Sequence, residues 1–259
     1  MTRTLSYAPA PGAAPLHRMV RSQALMETRL LLRNGEQLVL AVAIPLLVLV
    51  GGVQAASVVA LGDARPVDVL TPGVMALAVL STSFTSVAIA TGFERRYGVL
   101  KRLGASPLPR TALLAGKVAA VLLVETLQLS LVAAVGLGLG WQPHGGLTAA
   151  LGAVLLVVLG TAAFCALGLL MAGILRAEAT LAAANLVYLL LLAGGGVVVP
   201  IDRYPDSAAA HLGLLPSGAL AEGLRDVLSG AGLATGPVLV LLVWAVAAAA
   251  LTARTFRWE

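Results

Sequence analysis

Charged residues are scarce in this chain. Only 11% of its 259 residues are Asp, Glu, Lys or Arg, whereas 59% are hydrophobic, and a soluble domain has roughly 25% charged residues. Aromatic residues are also few, at 4%, so the apolar residues are mainly Ala, Leu and Val, and together with Gly they let helices approach closely in lipid. The composition excludes a soluble globular domain and predicts an all-α membrane protein.

Residues that build disulfides, metal sites and nucleotide sites are equally rare. The single cysteine, Cys165, lies in an apolar run and has no second cysteine with which to form an intramolecular disulfide. The three histidines are far apart, without neighbouring metal ligands. No Gly-x-x-x-x-Gly-Lys-[Ser/Thr] loop is present, because Gly116-Lys117 leads directly into an apolar run. We therefore expect no catalytic residue, no metal and no cofactor bound by this chain.

Long apolar runs are what the sequence does contain. Crossing the hydrocarbon core takes about 20 residues of helix. Five charge-free runs reach this length, and a sixth run contains one acid, Glu125. We therefore predict six transmembrane helices, at about 38–60, 70–93, 118–138, 149–174, 180–200 and 234–253.

The segment before the first span consists of a tail and a helix. Residues 1–15, rich in Ala and Pro, lack the apolar core and cleavage site of a signal peptide and predict a flexible cytoplasmic tail. Residues 16–259 are expected to form one transmembrane domain. Its first helix, Leu16 to Arg33, collects four arginines within about 120° of the helix circumference. This pattern favours an amphipathic helix on an anionic membrane surface, and a merely solvated basic face is the alternative.

The segment between the fifth and sixth spans has its own pattern. Three glycines (194–196) and Pro200 weaken the fifth helix near its end. After Pro216, apolar residues recur at helical spacing. We predict a short re-entrant or interfacial helix on the outer side.

The distribution of Lys and Arg predicts the orientation. Fourteen of the 17 lie on the side of both termini and of the loop between helices two and three, and the other three lie opposite. Positive residues are retained in the cytoplasm. Both termini are therefore predicted to be cytoplasmic, in an inner or plasma membrane.

The loop after helix two carries an ordered motif. An acid and a base are followed by Gly, a β-branched residue, Leu, a charge, Leu, Ser-Pro, Arg and Gly-Lys. The matching residues are Glu94, Arg95, Gly98, Val99, Leu100, Lys101, Leu103, Ser106, Pro107, Arg110, Gly116 and Lys117. With this motif the chain resembles the ABC type-2 permeases, the membrane subunits of ATP-binding-cassette exporters. A basic juxtamembrane loop without further role is the alternative interpretation.

The resemblance implies that the loop forms a coupling helix seated on a separate ATPase. The residues predicted to couple to that ATPase are Glu94, Arg95, Arg96, Tyr97, Gly98, Val99, Leu100, Lys101, Arg102 and Leu103. ATP and Mg would then be bound by this ABC ATPase partner, and the chain would not be an enzyme. A second permease copy, membrane lipid and a small-molecule substrate are the other expected partners, with homodimer as the default; no nucleic acid is expected.

Polar residues inside the spans are candidates for the substrate pathway. Glu125 is costly in lipid unless it is neutral, paired or facing water, so it either binds a cationic or hydrogen-bonding substrate or makes an interhelical hydrogen bond. The resemblance implies that helices two and five line the pathway, which would place Ser81, Thr85, Asn185 and Tyr188 near substrate. Ordinary helix packing is the alternative for these four.

The resulting hypothesis is a permease of an ATP-driven exporter. The substrate would be a hydrophobic or amphipathic small molecule, drug-like or antibiotic-like, so that multidrug resistance or antibiotic efflux is the expected role. The alternative is an ion-coupled secondary transporter or channel that uses Glu125. An intramembrane enzyme is a third class, but the sequence lacks a catalytic constellation for it.

Overall fold

The computed structural model describes residues 14–33, 35–55 and 65–255, which form helices and their connections without any strand. The α-helices are α1 (Leu16–Arg33), α2 (Gly35–Ala55), α3 (Pro66–Val79), α4 (Val87–Arg96), α5 (Val99–Gly104), α6 (Arg110–Gly138), α7 (Gly146–Ile174), α8 (Ala177–Gly194), α9 (Asp206–Leu212), α10 (Pro216–Ser229) and α11 (Thr235–Thr255). A π-helical segment (Leu80–Ser86) joins α3 to α4. A 3-10 turn (Ile201–Arg203) precedes α9. The predicted all-α class is confirmed.

Within the described residues, five helices are long and apolar enough to cross a membrane. They are Pro66–Arg96, Thr111–Gly138, Gly146–Ile174, Ala177–Gly194 and Thr235–Thr255. The first predicted span corresponds to α2, whose described apolar stretch, Ala41–Ala55, is shorter. The predicted continuation of that span to residue 60 lies outside the described residues, as do residues 1–13 and 256–259. The sixth crossing stays a prediction.

Two helix ends differ from the sequence prediction. Helix α8 ends at Gly194 rather than near residue 200, because Gly196 adopts a left-handed conformation (φ 73°) that a helix cannot contain. Helix α6 begins at Arg110, eight residues before the predicted start at 118. Pro109 supplies its extended N-cap, and charged residues in the first turns do not stop a helix.

The centre of the bundle is the continuous helix from Pro66 to Arg96. Eleven of the 14 residues of α3 are buried, and α2, α7, α8 and α10 pack around this helix. Close approach requires glycine on the neighbouring helix α7. A Cβ atom added at Gly168 would lie 2.8 Å from the carbonyl oxygen of Phe84 and 3.3 Å from the backbone nitrogen of Ala88.

Helix α10 packs along α7 rather than standing apart from the bundle. Ten of its residues are buried. Its side chains meet small residues of α7 in succession, since Leu220 fits against Gly160 and Val227 against Gly152. Gly160 lies 14 residues into α7, which is about 21 Å along the helix axis. The N-terminal half of α10 therefore packs against the middle of α7.

We expect Gly168→Ala to destabilise the bundle by about 1–3 kcal/mol, because the added methyl group meets backbone atoms that cannot move independently. The measurement is the midpoint of thermal unfolding of the purified protein in detergent. Gly51→Ala is the matched control, since a Cβ atom there has nothing within 4 Å and alanine is the better helix former. Equal midpoints for the two variants would contradict the tight contact between α7 and the central helix.

Candidate functional site

The motif-bearing loop folds as a compact turn on the end of α6. Gly98 adopts a left-handed conformation (φ 70°), which turns the chain from α4 into α5. Leu100 is fully buried and packs against Leu113 of α6, with Leu103 and Leu108 alongside. Leu100 is therefore not part of an exposed apolar patch, and it fixes α5 to α6.

The outward face of this loop is basic with two apolar side chains. Among the ten predicted coupling residues, the exposed ones are Arg96, Tyr97, Val99, Lys101 and Arg102, and we call this set the basic face. Tyr97 is 66% exposed and Val99 is 38% exposed. The ten predicted coupling residues thus fall into four groups. Five form the basic face, Leu100 and Leu103 pack inward, and Gly98 forms the turn. The remaining two, Glu94 and Arg95, bond within the chain.

Arg95 joins the loop to the end of α7. Its guanidinium donates to the carbonyl oxygen of Gly173, at 2.6 Å, and to that of Leu175. These carbonyls belong to the last turn of a helix, where acceptors have no intrahelical partner and carry partial negative charge. Arg96 also pairs with Glu178 at the start of α8. The loop is consequently bonded to three different spans.

A buried charge cluster lies directly behind the loop. Lys117 of α6 is 6% exposed, and its Nζ lies 2.8 Å from Glu94 of α4 and 2.9 Å from Glu27 of α1. Gln23 adds a hydrogen bond of 2.8 Å to the carboxylate of Glu27. One cation thus bridges two carboxylates, and the three charges come from three helices. We call Glu27, Glu94 and Lys117 the charge cluster.

The charge cluster gives the motif residues Glu94, Gly116 and Lys117 a structural reason. Glycine is required at position 116, because a Cβ atom there would lie 2.6 Å from Cγ of Gln23. The lack of a side chain at this position lets α1 lie against α6. Glu27 was not among the site residues predicted from the sequence. The signal was present, since Glu27 lies about 180° around α1 from Arg18, on the face opposite the arginines.

Glu125 lies at the middle of α6 and is 1% exposed. Thr161 of α7 donates a hydrogen bond of 2.5 Å to its Oε2, while Oε1 is buried and has no hydrogen-bond partner. The side chain lines a cavity of about 510 Å³ between α6 and α7. The expected interhelical hydrogen bond is present, and one carboxylate oxygen remains free.

Gln128 follows Glu125 by three residues but serves another contact. Its Oε1 accepts a hydrogen bond of 2.7 Å from Thr82, and its Nε2 donates one of 2.7 Å to the carbonyl oxygen of Ala41. The amide therefore links α6 to α2 and to the π segment. This role, in which both ends of a buried amide are hydrogen-bonded, was not predicted from the sequence.

The four other predicted pathway residues do not line the cavity beside Glu125. Ser81 and Tyr188 are partly buried and meet across the contact between the π segment and α8. Thr85 has a buried hydroxyl without a partner, and Asn185 is exposed. The structure thus groups Ser81 with Tyr188, apart from the cavity beside Glu125.

A second polar cluster lies at the opposite end of the bundle. Arg225 of α10 donates to the carbonyl oxygens of Gly196, at 2.8 Å, and Val197, at 2.5 Å, and pairs with Glu222 at 2.6 Å. Glu222 also accepts the backbone N–H of Ile201. Burial lowers the pKa of Arg225, and the neighbouring Glu222 carboxylate opposes this. The pair fixes the segment that follows α8.

The comparison with protein families gives one match. A family described as "ABC-2 family transporter protein" matches residues 64–254, which is most of the chain. No curated protein matches the chain well enough to serve as a relative. The match includes the loop, the Glu94–Lys117 pair and Glu125, and it begins after α1 and α2.

We expect Lys117→Ala to lower the free energy of unfolding by about 3–5 kcal/mol, because it leaves two carboxylates buried without their cation. The measurement is thermal unfolding in detergent, together with the yield of monodisperse protein. Lys101→Ala removes the same charge from an exposed position and should leave the midpoint unchanged. A Lys117→Ala protein as stable as the Lys101→Ala protein would refute the structural role of the cluster.

Proposed function

Because the chain belongs to the ABC-2 transporter family, and its apolar helices make it a multi-pass membrane protein, we propose that it is the permease subunit of an ATP-driven exporter. The observation that carries the proposal is the folded loop between α4 and α6. This loop presents the basic face outward and is bonded inward to several spans. A segment that transmits a movement from another protein needs both properties.

The basic face is the proposed contact with the ATPase. Lys101 and Arg102 provide charge for a complementary acidic groove, and Tyr97 and Val99 provide apolar area at its centre. Aromatic and arginine side chains contribute most at such interfaces. ATP and Mg are bound by the partner subunit, since the work of this chain is to change conformation when the ATPase does.

The bonds behind the basic face are the proposed transmission. Displacement of α5 moves α6 directly, because Leu100 packs on Leu113. It also moves the end of α7 through Arg95. Lys117 carries the same displacement to α1 through Glu27. Rigid contacts of this kind pass a movement on, because packed cores are not continuously deformable.

The excess of positive residues supports a cytoplasmic location for the end of the bundle that carries the basic face. Both termini would then be cytoplasmic, with α1 on the membrane surface and α2 as the sixth crossing. Exposed leucines support this place for α1, since Leu16 and Leu30 are 55% and 58% exposed. On the outer side, α10 would re-enter the membrane beside α7.

Six helices suit half a transporter, so two copies are expected to form a homodimer.

The proposed substrate is a hydrophobic or amphipathic small molecule, which the apolar spans can accommodate. Efflux of a drug or antibiotic is the role that fits this class. Ser81, Thr85, Asn185 and Tyr188 are proposed to lie near its path on the side of α8. The alternative, an ion-coupled transporter or channel using Glu125, predicts transport under an ion gradient with no ATPase present.

The proposal is tested by purifying the tagged protein from its native cells in mild detergent. We expect a polypeptide with a Gly-x-x-x-x-Gly-Lys-[Ser/Thr] loop to co-purify in a fixed ratio, and the complex to hydrolyse ATP in liposomes. Liposome transport that needs an ion gradient and proceeds without this polypeptide would overturn the exporter assignment.

Reversing the charge of the basic face should release the ATPase. We expect the double variant Lys101→Glu/Arg102→Glu to recover about tenfold less ATPase, because like charges then face the acidic groove. Arg254→Glu is the control, since Arg254 is exposed at the last turn of α11 and is outside the loop. Both proteins should keep the wild-type unfolding midpoint. Full ATPase recovery with the double variant would exclude the basic face as the docking surface.

A further inference from the structure

The cavity beside Glu125 lies between α6 and α7 and is lined almost entirely by apolar and small side chains. Its walls include Ala133 of α6, Ala153 and Val157 of α7, and Leu224 of α10. Its volume of about 510 Å³ falls within the range of roughly 300–1,000 Å³ typical of sites for drug-sized molecules. The small side chains on both helices create this space.

Among the described residues that line the cavity, only Glu125 has a side-chain polar atom without a hydrogen-bond partner. The hydroxyls of Thr126 and Ser130 bond to carbonyl oxygens of their own helix. Oε1 of Glu125 is buried and unpartnered, and a buried carboxylate oxygen without a donor is costly. The hydroxyls of Thr126 and Ser130 act as donors in their bonds, so their lone pairs can still accept a hydrogen bond from a group in the cavity. The free oxygen therefore calls for a donor on a largely apolar ligand.

The cavity opens toward the side of the bundle. Val154 and Val158 line it and are 59% and 41% exposed, so the opening faces the hydrocarbon. Glu125 lies 13 residues before Gly138, the end of α6, which places it about 20 Å along the helix from that end. A molecule dissolved in the lipid can enter this cavity, whose wall includes Glu125, without passing through water.

We propose that this cavity binds a lipophilic primary amine that enters from the bilayer. The ammonium group donates to Oε1 of Glu125, and the hydrocarbon part lies along Ala133, Ala153 and Val157. The carboxylate selects for the amine, because an ion pair formed away from water is strong when both charges are hydrogen-bonded. Together with the proposed function, on which this last step rests, the cavity makes lipophilic amines the substrate class of the exporter.

Binding is tested with radiolabelled dodecylamine and dodecanol on the full protein in phosphatidylcholine nanodiscs, with empty nanodiscs subtracted. We expect Glu125→Gln to weaken dodecylamine binding by about tenfold or more and to leave dodecanol binding unchanged. Ala153→Phe should abolish binding of both. Leu155→Phe is its matched control, since Leu155 is 41% exposed on the same helix and does not line the cavity. Equal dodecylamine affinity for wild type and Glu125→Gln overturns the proposal.

A second measurement uses only the wild-type protein, so it does not depend on the folding of a variant. Dicyclohexylcarbodiimide is an apolar reagent that modifies carboxyl groups reached from lipid. We expect mass spectrometry to find the adduct on Glu125, and dodecylamine, but not dodecanol, to protect it. No adduct on Glu125, or equal protection by both compounds, overturns the proposal.

Neither measurement needs the ATPase. A protein that recovers its ATPase but shows no preference for the amine retains the proposed function and loses only this site. Amine binding without any ATPase partner would leave the site in place and remove the exporter assignment.

Discussion

The structure depends on one buried cation held between two carboxylates. Lys117 would be unfavourable at 6% exposure without Glu27 and Glu94, and each carboxylate would be unfavourable without Lys117. Because the three side chains belong to α6, α1 and α4, none of these helices can shift alone without exposing an unpaired charge. The position of α5 on the bundle follows, since α5 lies between two of the helices that the cluster joins.

The cluster also separates two kinds of residue within one motif. One set faces inward and holds the loop in place; it consists of Glu94, Arg95, Leu100, Gly116 and Lys117. The basic face consists of the residues between and beside them. One motif therefore specifies both the fold of the loop and the residues on its outer surface. The inward set maintains the geometry of the loop. The outward set, apart from Arg96 with its bond to Glu178, makes the surface available to a partner.

Much of the fold could be predicted from the sequence, and the site only in part. The apolar runs and the Ser-Pro motif predicted the helices and the place of the loop between α4 and α6, because hydrophobic length and helix breakers are local properties. The partners of Glu27, Gln128 and Arg225 could not be predicted, since each bonds to a distant segment whose position only the packed bundle defines. The early end of α8 was missed because the apolar run continues beyond Gly194, while the backbone at Gly196 does not remain helical.

The π segment has a consequence for the faces of the central helix. Ser86 Oγ lies 3.3 Å from the carbonyl oxygen of Ser81, a spacing of five residues, and each π turn accommodates one residue more than an α turn. The side chains of α4 are therefore out of phase with those of α3 by about 100°. Within the π segment itself, Thr82 meets α6 and Ser81 meets α8. A single helix thus presents its two halves to different neighbours, since α3 packs mainly against α2 and α10 and α4 against α7 and α8.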